Sequence, residues 1–286
     1  MKVAVIGAGT LGTAIAVLLE RAGHRIVGIS GRDETRGRAS SYLPRAPFLE
    51  PEEAAAAAEL VVIGTPDDVI EPTVEALAAD APGPGTWVAH LSGSLGLDAL
   101  KPAAAAGAGI LAIHPLQTFP DIGSALERLP GCSIAITAED EEGYLLGEWL
   151  AGDLEGGPFR LSDELRPLYH AAAVFASNYL VTASAIAESL WAEAGVPDPA
   201  RTMAPLQRVT LENVERLGPA RALTGPAVRG DSGTIRRNLE ALEAHAPELV
   251  PAYVAMARAT LDLAERSGRL SSGARAAVED VLDRWS

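Results

Sequence analysis

Lysine is nearly absent from this chain. Lys2 and Lys101 are the only two in 286 residues, and arginine carries the remaining positive charge. Chemistry that needs a lysine amine is therefore confined to those two positions. Cysteine is scarcer still: Cys132 stands alone, which excludes an internal disulfide and a cysteine-built zinc cluster. Positive charge as a whole is in deficit. A net charge of -15 suits neither a nucleic-acid backbone nor an anionic membrane surface. The apolar N-terminus, MKVAVIGAG, breaks at its glycines and is too short for a secretory h-region or a membrane span. These absences predict a cytoplasmic protein that acts on a small molecule, without a nucleic-acid or membrane partner and without a metal.

What is present is a large apolar share, 48% of residues, enough for one large or two medium cores. Up to about residue 160, short β-branched runs alternate with alanine-rich stretches. KVAVIG (2–7), HRIVGIS (24–30), LVVIGTP (60–66), TWVAHLS (86–92), GILAIHP (109–115), CSIAIT (132–137) and GPFRLS (157–162) read as strands. TLGTAIAVLLERAG (10–23), PEEAAAAAE (51–59) and DDVIEPTVEALAAD (67–80) read as helices, and APGPG (81–85) as a turn. Continuous apolar strands alternating with helices imply a mostly parallel sheet covered on both faces. After Ser162 the strand-like runs stop. Helices are expected over about 163–194, 199–216, 232–245, 247–267 and 272–285. The expected architecture is α/β: a Rossmann-type doubly wound domain over 1–162, then an all-α substrate and dimerisation domain over 163–286.

Gly7-Ala8-Gly9-Thr10-Leu11-Gly12 fits G-x-G-x-x-G between a first strand and a helix, the setting in which that pattern binds a dinucleotide. Gly7 permits the tight turn, Gly9 lets a pyrophosphate approach, and Gly12 brings helix and strand together. The N–H groups around Thr10 and Leu11 face the anion. At the end of the second strand, where NAD-binding folds place an acidic residue, stand Ser30-Gly31-Arg32. Ser30 and Arg32, with Arg36 and Arg38 nearby, accept a 2′-phosphate that a carboxylate would repel, so NADP(H) is expected over NAD(H). Asp33 and Glu34 also stand close enough to reach a ribose. Thr65 and Pro66 end the third strand at the nucleotide crevice, where Asp67 alternatively caps the next helix.

Two further strand ends carry chemistry. His90-Leu91-Ser92-Gly93-Ser94 follows the fourth strand, and His114-Pro115-Leu116-Gln117 ends the fifth. A carbonyl reduction needs a proton donor, and histidine titrates near neutrality. His114 is the first candidate, with Ser92 and Ser94 as hydrogen-bonding partners of a substrate, while His90 reads as a satisfied core residue. In PLYHAAAVFASNYL (167–180), His170 and Ser177 lie seven residues apart and nearly align on a helix, flanked by Asn178. This polar stripe on an apolar helix is expected to face solvent or a cleft between the domains. In LTGPAVRGD, Arg229 is a candidate clamp for a substrate carboxylate, beside Asp231, which is placed to cap a helix.

These segments together resemble the DUF2520 family of Rossmann-like proteins with a helical domain. The resemblance is carried by GAGTLG, VVIGTPDD, HLSGS, HPLQTF, YHAAAVFASNYLVT and LTGPAVRGD. It is more distant to the β-hydroxyacid dehydrogenases and ketopantoate reductases. It implies a C-terminal domain like that of 6-phosphogluconate dehydrogenase. In those relatives a lysine and an asparagine stand one turn apart on the first long helix. Asn178 matches the asparagine, Val174 stands where the lysine would be, and His170 is the nearest substitute. AIHPLQ is also similar to a segment of prephenate dehydrogenases, which pairs His114 with Ser92 or Ser94. The expected function is an NADP(H)-dependent interconversion of carbonyl and alcohol in a small carboxylate-bearing metabolite, by a homodimer joined through its helical half. A prephenate-like oxidation, a deazaflavin-linked reduction of NADP and a non-catalytic NADP sensor are the alternatives.

Overall fold

The computed structural model describes residues 1–79 and 82–285. The ends of the expected helix 67–80 and turn 81–85 therefore lie partly outside the described residues. The chain forms two compact units, Met1–Tyr179 and Leu180–Ser286. The sequence boundary at 162 marks the last strand, and the first unit runs on to include the helix that follows it.

The first unit is built on seven strands: β1 (Lys2–Ile6), β2 (Arg25–Ser30), β3 (Leu60–Ile63), β4 (Trp87–His90), β5 (Gly109–Pro115), β6 (Ser133–Ala138) and β7 (Gly157–Arg160). They form one sheet in the order β2-β1-β3-β4-β5-β6-β7. All neighbours are parallel except β5 and β6. The helices of this unit are α1 (Thr10–Arg21), α2 (Asp33–Tyr42), α3 (Pro51–Ala56), α4 (Asp67–Leu77), α5 (Lys101–Ala105), α6 (Ile122–Arg128), α7 (Glu141–Asp153) and α8 (Arg166–Ala176).

Alternation along the central strands feeds two cores. Val3, Val5, Leu60 and Val62 pack with Ile15 and Leu19 of α1 and Leu150 of α7. Ala4, Ile6, Val61 and Ile63 pack with Ile70, Val74 and Leu77 of α4. Each such side chain contributes about 1.5–3 kcal/mol on burial, which holds helices on both faces of the sheet. Small residues pack closely at Ala54, which lies so near Gly28 that a Cβ there would meet it at 2.6 Å.

Register aligns the chemistry. Ile6 pairs with Ser30 on one side and Ile63 on the other, Ile63 with His90, and His90 with Ala112. The carboxyl ends of five strands thus share one edge, with the order reversing at β1, where open α/β sheets bind their ligands.

The expected continuous helix 163–194 is interrupted. α8 ends at Ala176, Ser177 takes φ -125° and ψ -68°, and α9 begins at Asn178 and runs to Glu193. Adjacent serine and asparagine offer the backbone local hydrogen bonds that compete with helix, which accounts for a break at this point. Arg166 is the one buried residue of α8, and Leu168 and Phe175 are each 69% exposed. The stretch Asp163–Glu193 is long and apolar enough to cross a membrane, by length and composition only.

The second unit contains most of α9 together with α10 (Pro199–Leu217), α11 (Pro219–Ala222), α12 (Ser232–His245), α13 (Val250–Arg266) and α14 (Ser272–Leu282). Its core joins Ile235, Leu239 and Leu242 of α12 to Val254 and Leu261 of α13 and Val278 and Leu282 of α14. Leu206, Val209 and Leu211 of α10 are exposed.

Candidate active site

The glycine loop lies at the sheet edge between β1 and α1. Its conformation is dictated by space. Gly7 has φ +105°, and a Cβ there would stand 2.6 Å from the carbonyl carbon of Gly64. A Cβ on Gly12 would stand 2.2 Å from the Gly7 oxygen. Above Gly9, by contrast, nothing lies within 4 Å. The Gly7 and Ala8 amides donate to the Ser30 carbonyl at 2.8 and 2.9 Å, tying the loop to β2.

A cleft of about 700 Å³ opens here, lined by Gly7, Gly9, Ser30, Arg32, Thr65 and Pro66 among others. The size lies in the range of small-molecule and cofactor sites. Thr10, Leu11 and Gly12 do not line it; they shape the turn behind it. The cleft fits a dinucleotide on two observations: the open space over Gly9, and the Thr65 hydroxyl, which is buried without a hydrogen-bond partner. Ser30 is itself buried and serves the loop through its carbonyl, while Arg32 is exposed at the start of α2. Arg36 packs over the Phe48 ring at 4.9 Å. Thr35, Glu50, Val69 and Thr73 also line the cleft, and sequence reasoning passed over them.

Farther along the same edge, Asp67 does not cap α4 as proposed. It accepts hydrogen bonds from Ser92 Oγ at 2.7 Å and Ser94 Oγ at 2.8 Å, joining the ends of β3 and β4. Ser92 Oγ in turn accepts from the Leu95 amide at 3.0 Å. Its capacity is thus filled within the protein, and it organises the loop. His90 is fully buried; its Nδ1 accepts from the Ser92 amide, and its Nε2 donates to the Gly96 carbonyl, both at 3.2 Å. Burial, reinforced by the Arg166 charge, pushes its pKa down to about 4. The expectation of a satisfied core histidine holds.

Arg166, at the first position of α8, is the largest fully buried side chain. Its guanidinium donates to the Leu95 carbonyl at 2.5 Å, to the Ser92 carbonyl, and to Thr137 Oγ1 at 2.9 Å. One cation thereby straps the serine loop to β6. Nothing in the sequence marked it beyond an arginine opening an apolar helix.

His114 leaves β5 beside this strap. Its Nδ1 lies 2.8 Å from the Tyr169 hydroxyl. The His114 pKa is lowered to about 4, first by burial and then by the Arg166 and His170 charges. His170 stands across from it, ring centroids 6.3 Å apart, and its Nδ1 is buried without a partner. Both rings crowd Gly93, where a Cβ would lie 2.7 Å from His170 Nδ1 and 2.8 Å from His114 Nε2. The fold thus brings His114, His170, Ser92 and Ser94 together at the sheet edge. Ser177 sits at the helix break, and Asn178, exposed, opens α9. Arg229 and Asp231 belong to the second unit. Asp231 caps α12 through the Thr234 amide at 2.9 Å, and Arg229 is exposed.

With this geometry stand the comparisons. Residues 1–115 match the model of a Rossmann-like domain, and residues 132–260 match that of DUF2520, a domain of unknown function. No curated protein matches the chain. Among solved structures, a Bacteroides fragilis protein named as a candidate NADP oxidoreductase is 24% identical, with a TM-score of 0.75, over 91% of this chain and 98% of that one. Protein TM1727 of Thermotoga maritima is 25% identical, with a TM-score of 0.71, over 92% and 98%. A reductive aminase from Aspergillus terreus, in complex with NADPH and ethyl levulinate, is 19% identical, with a TM-score of 0.62, over 99% and 92%. At these identities the likeness is one of fold.

Proposed function

We propose that this chain, a Rossmann-like domain followed by a DUF2520 domain, is an NADP(H)-dependent oxidoreductase. It interconverts a carbonyl and an alcohol in a small carboxylate-bearing metabolite, a 2-oxo acid such as ketopantoate or a 3-hydroxy acid. The observation that carries this reading is the juxtaposition of the His114 and His170 rings, centroids 6.3 Å apart, against Gly93 of the serine loop. It lies on the sheet edge that also holds the dinucleotide cleft. When bound, the nicotinamide supplies or takes a hydride. The chain's own part is to handle the proton of the reacting oxygen, and two adjacent imidazoles suit that task.

The cofactor preference rests on Arg32 and on the lack of an acidic residue at the end of β2. The Bacteroides neighbour's name and the NADPH of the Aspergillus complex support it. The test is a panel of 2-oxo and 3-hydroxy acids, with imines beside them, followed through NADPH and NADH absorbance. Turnover of an oxo or hydroxy acid that alanine at His114 or His170 abolishes supports the reading. Turnover left intact by both substitutions sinks it.

We also propose a homodimer. Leu168 and Phe175 on α8, and Leu206, Val209 and Leu211 on α10, expose large apolar surfaces. A second copy is the occupant proposed for them, because a net charge of -15 opposes an anionic bilayer. Light scattering should give twice the chain mass, and Leu206→Glu with Val209→Glu should lower it. A monomer that binds anionic vesicles would overturn the proposal.

A further inference from the structure

One wall of the dinucleotide cleft belongs to the start of α4. Pro66, Val69 and Thr73 line the cleft, spaced three and four residues apart and so on one side of the helix. Asp67, the first residue of α4, does not line it. Its carboxylate goes instead to the serine loop, where it accepts from Ser92 Oγ at 2.7 Å and Ser94 Oγ at 2.8 Å. The same turn also rests against the glycine loop, since a Cβ on Gly7 would stand 2.6 Å from the Thr65 nitrogen. The α4 wall is thus held between two loops, one facing the cleft and one behind it.

The serine loop is fixed in turn from α8. The Arg166 guanidinium donates to the Ser92 carbonyl, to the Leu95 carbonyl at 2.5 Å and to Thr137 Oγ1 at 2.9 Å. All three acceptors are uncharged, and the planar fork lets one side chain reach them together. Asp163, just before α8, accepts from the Leu97 amide at 2.9 Å. Thr137 Oγ1 donates to the Leu161 carbonyl at 2.7 Å, which completes the anchor on β6. Arg166 is the one buried residue of α8, so this cation is the buried hold of that helix on the sheet.

We infer, building on the dinucleotide reading above, that Asp67, Ser92 and Arg166 are positioning residues for the dinucleotide: through them the first turn of α8 sets the α4 wall of the cleft. None of the three lines the cleft. They act by holding the wall in place beforehand, because a wall that need not be ordered on binding leaves more of the contact energy as affinity. The coupling is reciprocal. A dinucleotide lying against Pro66, Val69 and Thr73 stiffens the serine loop and seats α8, and a loosened α8 weakens the cleft.

Charge alone would act in the opposite direction. NADPH is a polyanion, and Asp67 is an exposed carboxylate beside its cleft. As a mere neighbouring charge Asp67 opposes binding, and its removal should tighten the complex. As an anchor, its removal should loosen the complex. The sign of the effect separates the two roles.

Calorimetric titration of the full chain with NADPH reads that sign. Asp67→Ala should weaken binding about 10-fold, the lower end of what a hydrogen bond to a charged group supplies. Ser92→Ala should weaken it less, since Ser94 still holds Asp67. Adding Ser92→Ala to Asp67→Ala should change affinity little further, because both break one link. Arg166→Lys keeps the charge but loses the fork, and should also weaken binding; if it does not fold, the Asp67 and Ser92 variants carry the test. Hydrogen exchange gives a readout that a purely structural role would not move. Saturating NADPH should slow exchange at the Leu95 and Leu97 amides, which are bonded to Ser92 Oγ and Asp163, in the wild type and not in Asp67→Ala. Unchanged or tighter NADPH binding by Asp67→Ala, or additive effects of the two substitutions, overturns the inference. A wild type that binds neither NADPH nor NADH defeats the dinucleotide reading itself, and the inference with it.

Discussion

The hydroxyl of Tyr169 lies 2.8 Å from Nδ1 of His114, joining residues 55 positions apart. This contact ties a half-buried histidine of β5 to α8, and it predicts the behaviour of Tyr169→Phe. Removing one oxygen leaves Nδ1 without its partner, at about 1–3 kcal/mol of stability. If His114 serves the proposed reaction, the change should also lower kcat roughly 10-fold, because the ring loses the partner that orients it. The Nδ1 resonance of His114 should move with it. An unchanged kcat together with an unchanged resonance would show that the hydroxyl does not govern this ring.

His90 and His114 make stability depend on pH. Both are lowered from 6.5 to about 4 in the fold. Between those values the unfolded chain binds more protons than the folded one, so stability rises with pH. Their contribution is full above about pH 6.5 and is lost as pH falls toward 4. For fully buried His90 the loss is on the order of 2–3 kcal/mol. Urea midpoints from pH 8 to pH 4 should therefore fall mainly below pH 6.5. His90→Gln should flatten the slope in part, and a slope that His90→Gln leaves untouched would show that His90 is protonated in the fold.

The strands were legible because fully buried parallel strands must be apolar throughout, and runs such as VAVI and LVVI have few other uses. The glycine loop was legible because backbone clashes at Gly7 and Gly12 leave no alternative residue. The serine loop and His114 could be placed at the sheet edge because strand ends are marked by a change to polar residues. Arg166 was not legible. An arginine at a helix start ordinarily reads as a solvated charge, and only the fold shows the carbonyls of Ser92 and Leu95 converging on it. Tyr169 was hidden for the same reason, since local sequence carries no sign of a partner on β5. The break at Ser177 was masked by strong helix formers on either side, and the exposure of Leu168 and Phe175 depends on what does not cover them.

Arg32 governs the proposed preference for NADPH. It is exposed at the mouth of the cleft, at the start of α2, and Glu50 is the carboxylate that shares that lining. Arg32→Ala should weaken NADPH binding roughly 10- to 100-fold, the range of a hydrogen bond to a charged group, and leave NADH nearly unchanged. Glu50→Gln should shift the preference further toward NADPH by removing a like charge. Calorimetric titration with both nucleotides reads each effect, and added salt should erode the wild-type preference. NADH binding that matches NADPH in the wild type would end this account of the β2 terminus.

Gly9 and Gly12 separate binding from folding within one loop. A methyl group on Gly9 meets nothing within 4 Å, whereas one on Gly12 would press to 2.2 Å of the Gly7 carbonyl oxygen. Gly9→Ala should therefore fold with an unchanged Tm. It should nonetheless lose dinucleotide affinity, because the added methyl occupies the space through which a pyrophosphate approaches the loop. Gly12→Ala should lower Tm by several degrees, since a backbone oxygen cannot rotate away as a flexible side chain can, and the α1–β1 contact must open. Thermal melts with and without NADPH distinguish the two. The expected pattern is a Gly9→Ala protein that melts like the wild type and gains no stability from NADPH. A Gly9→Ala protein still stabilised by NADPH would show that the dinucleotide lies elsewhere than over this loop.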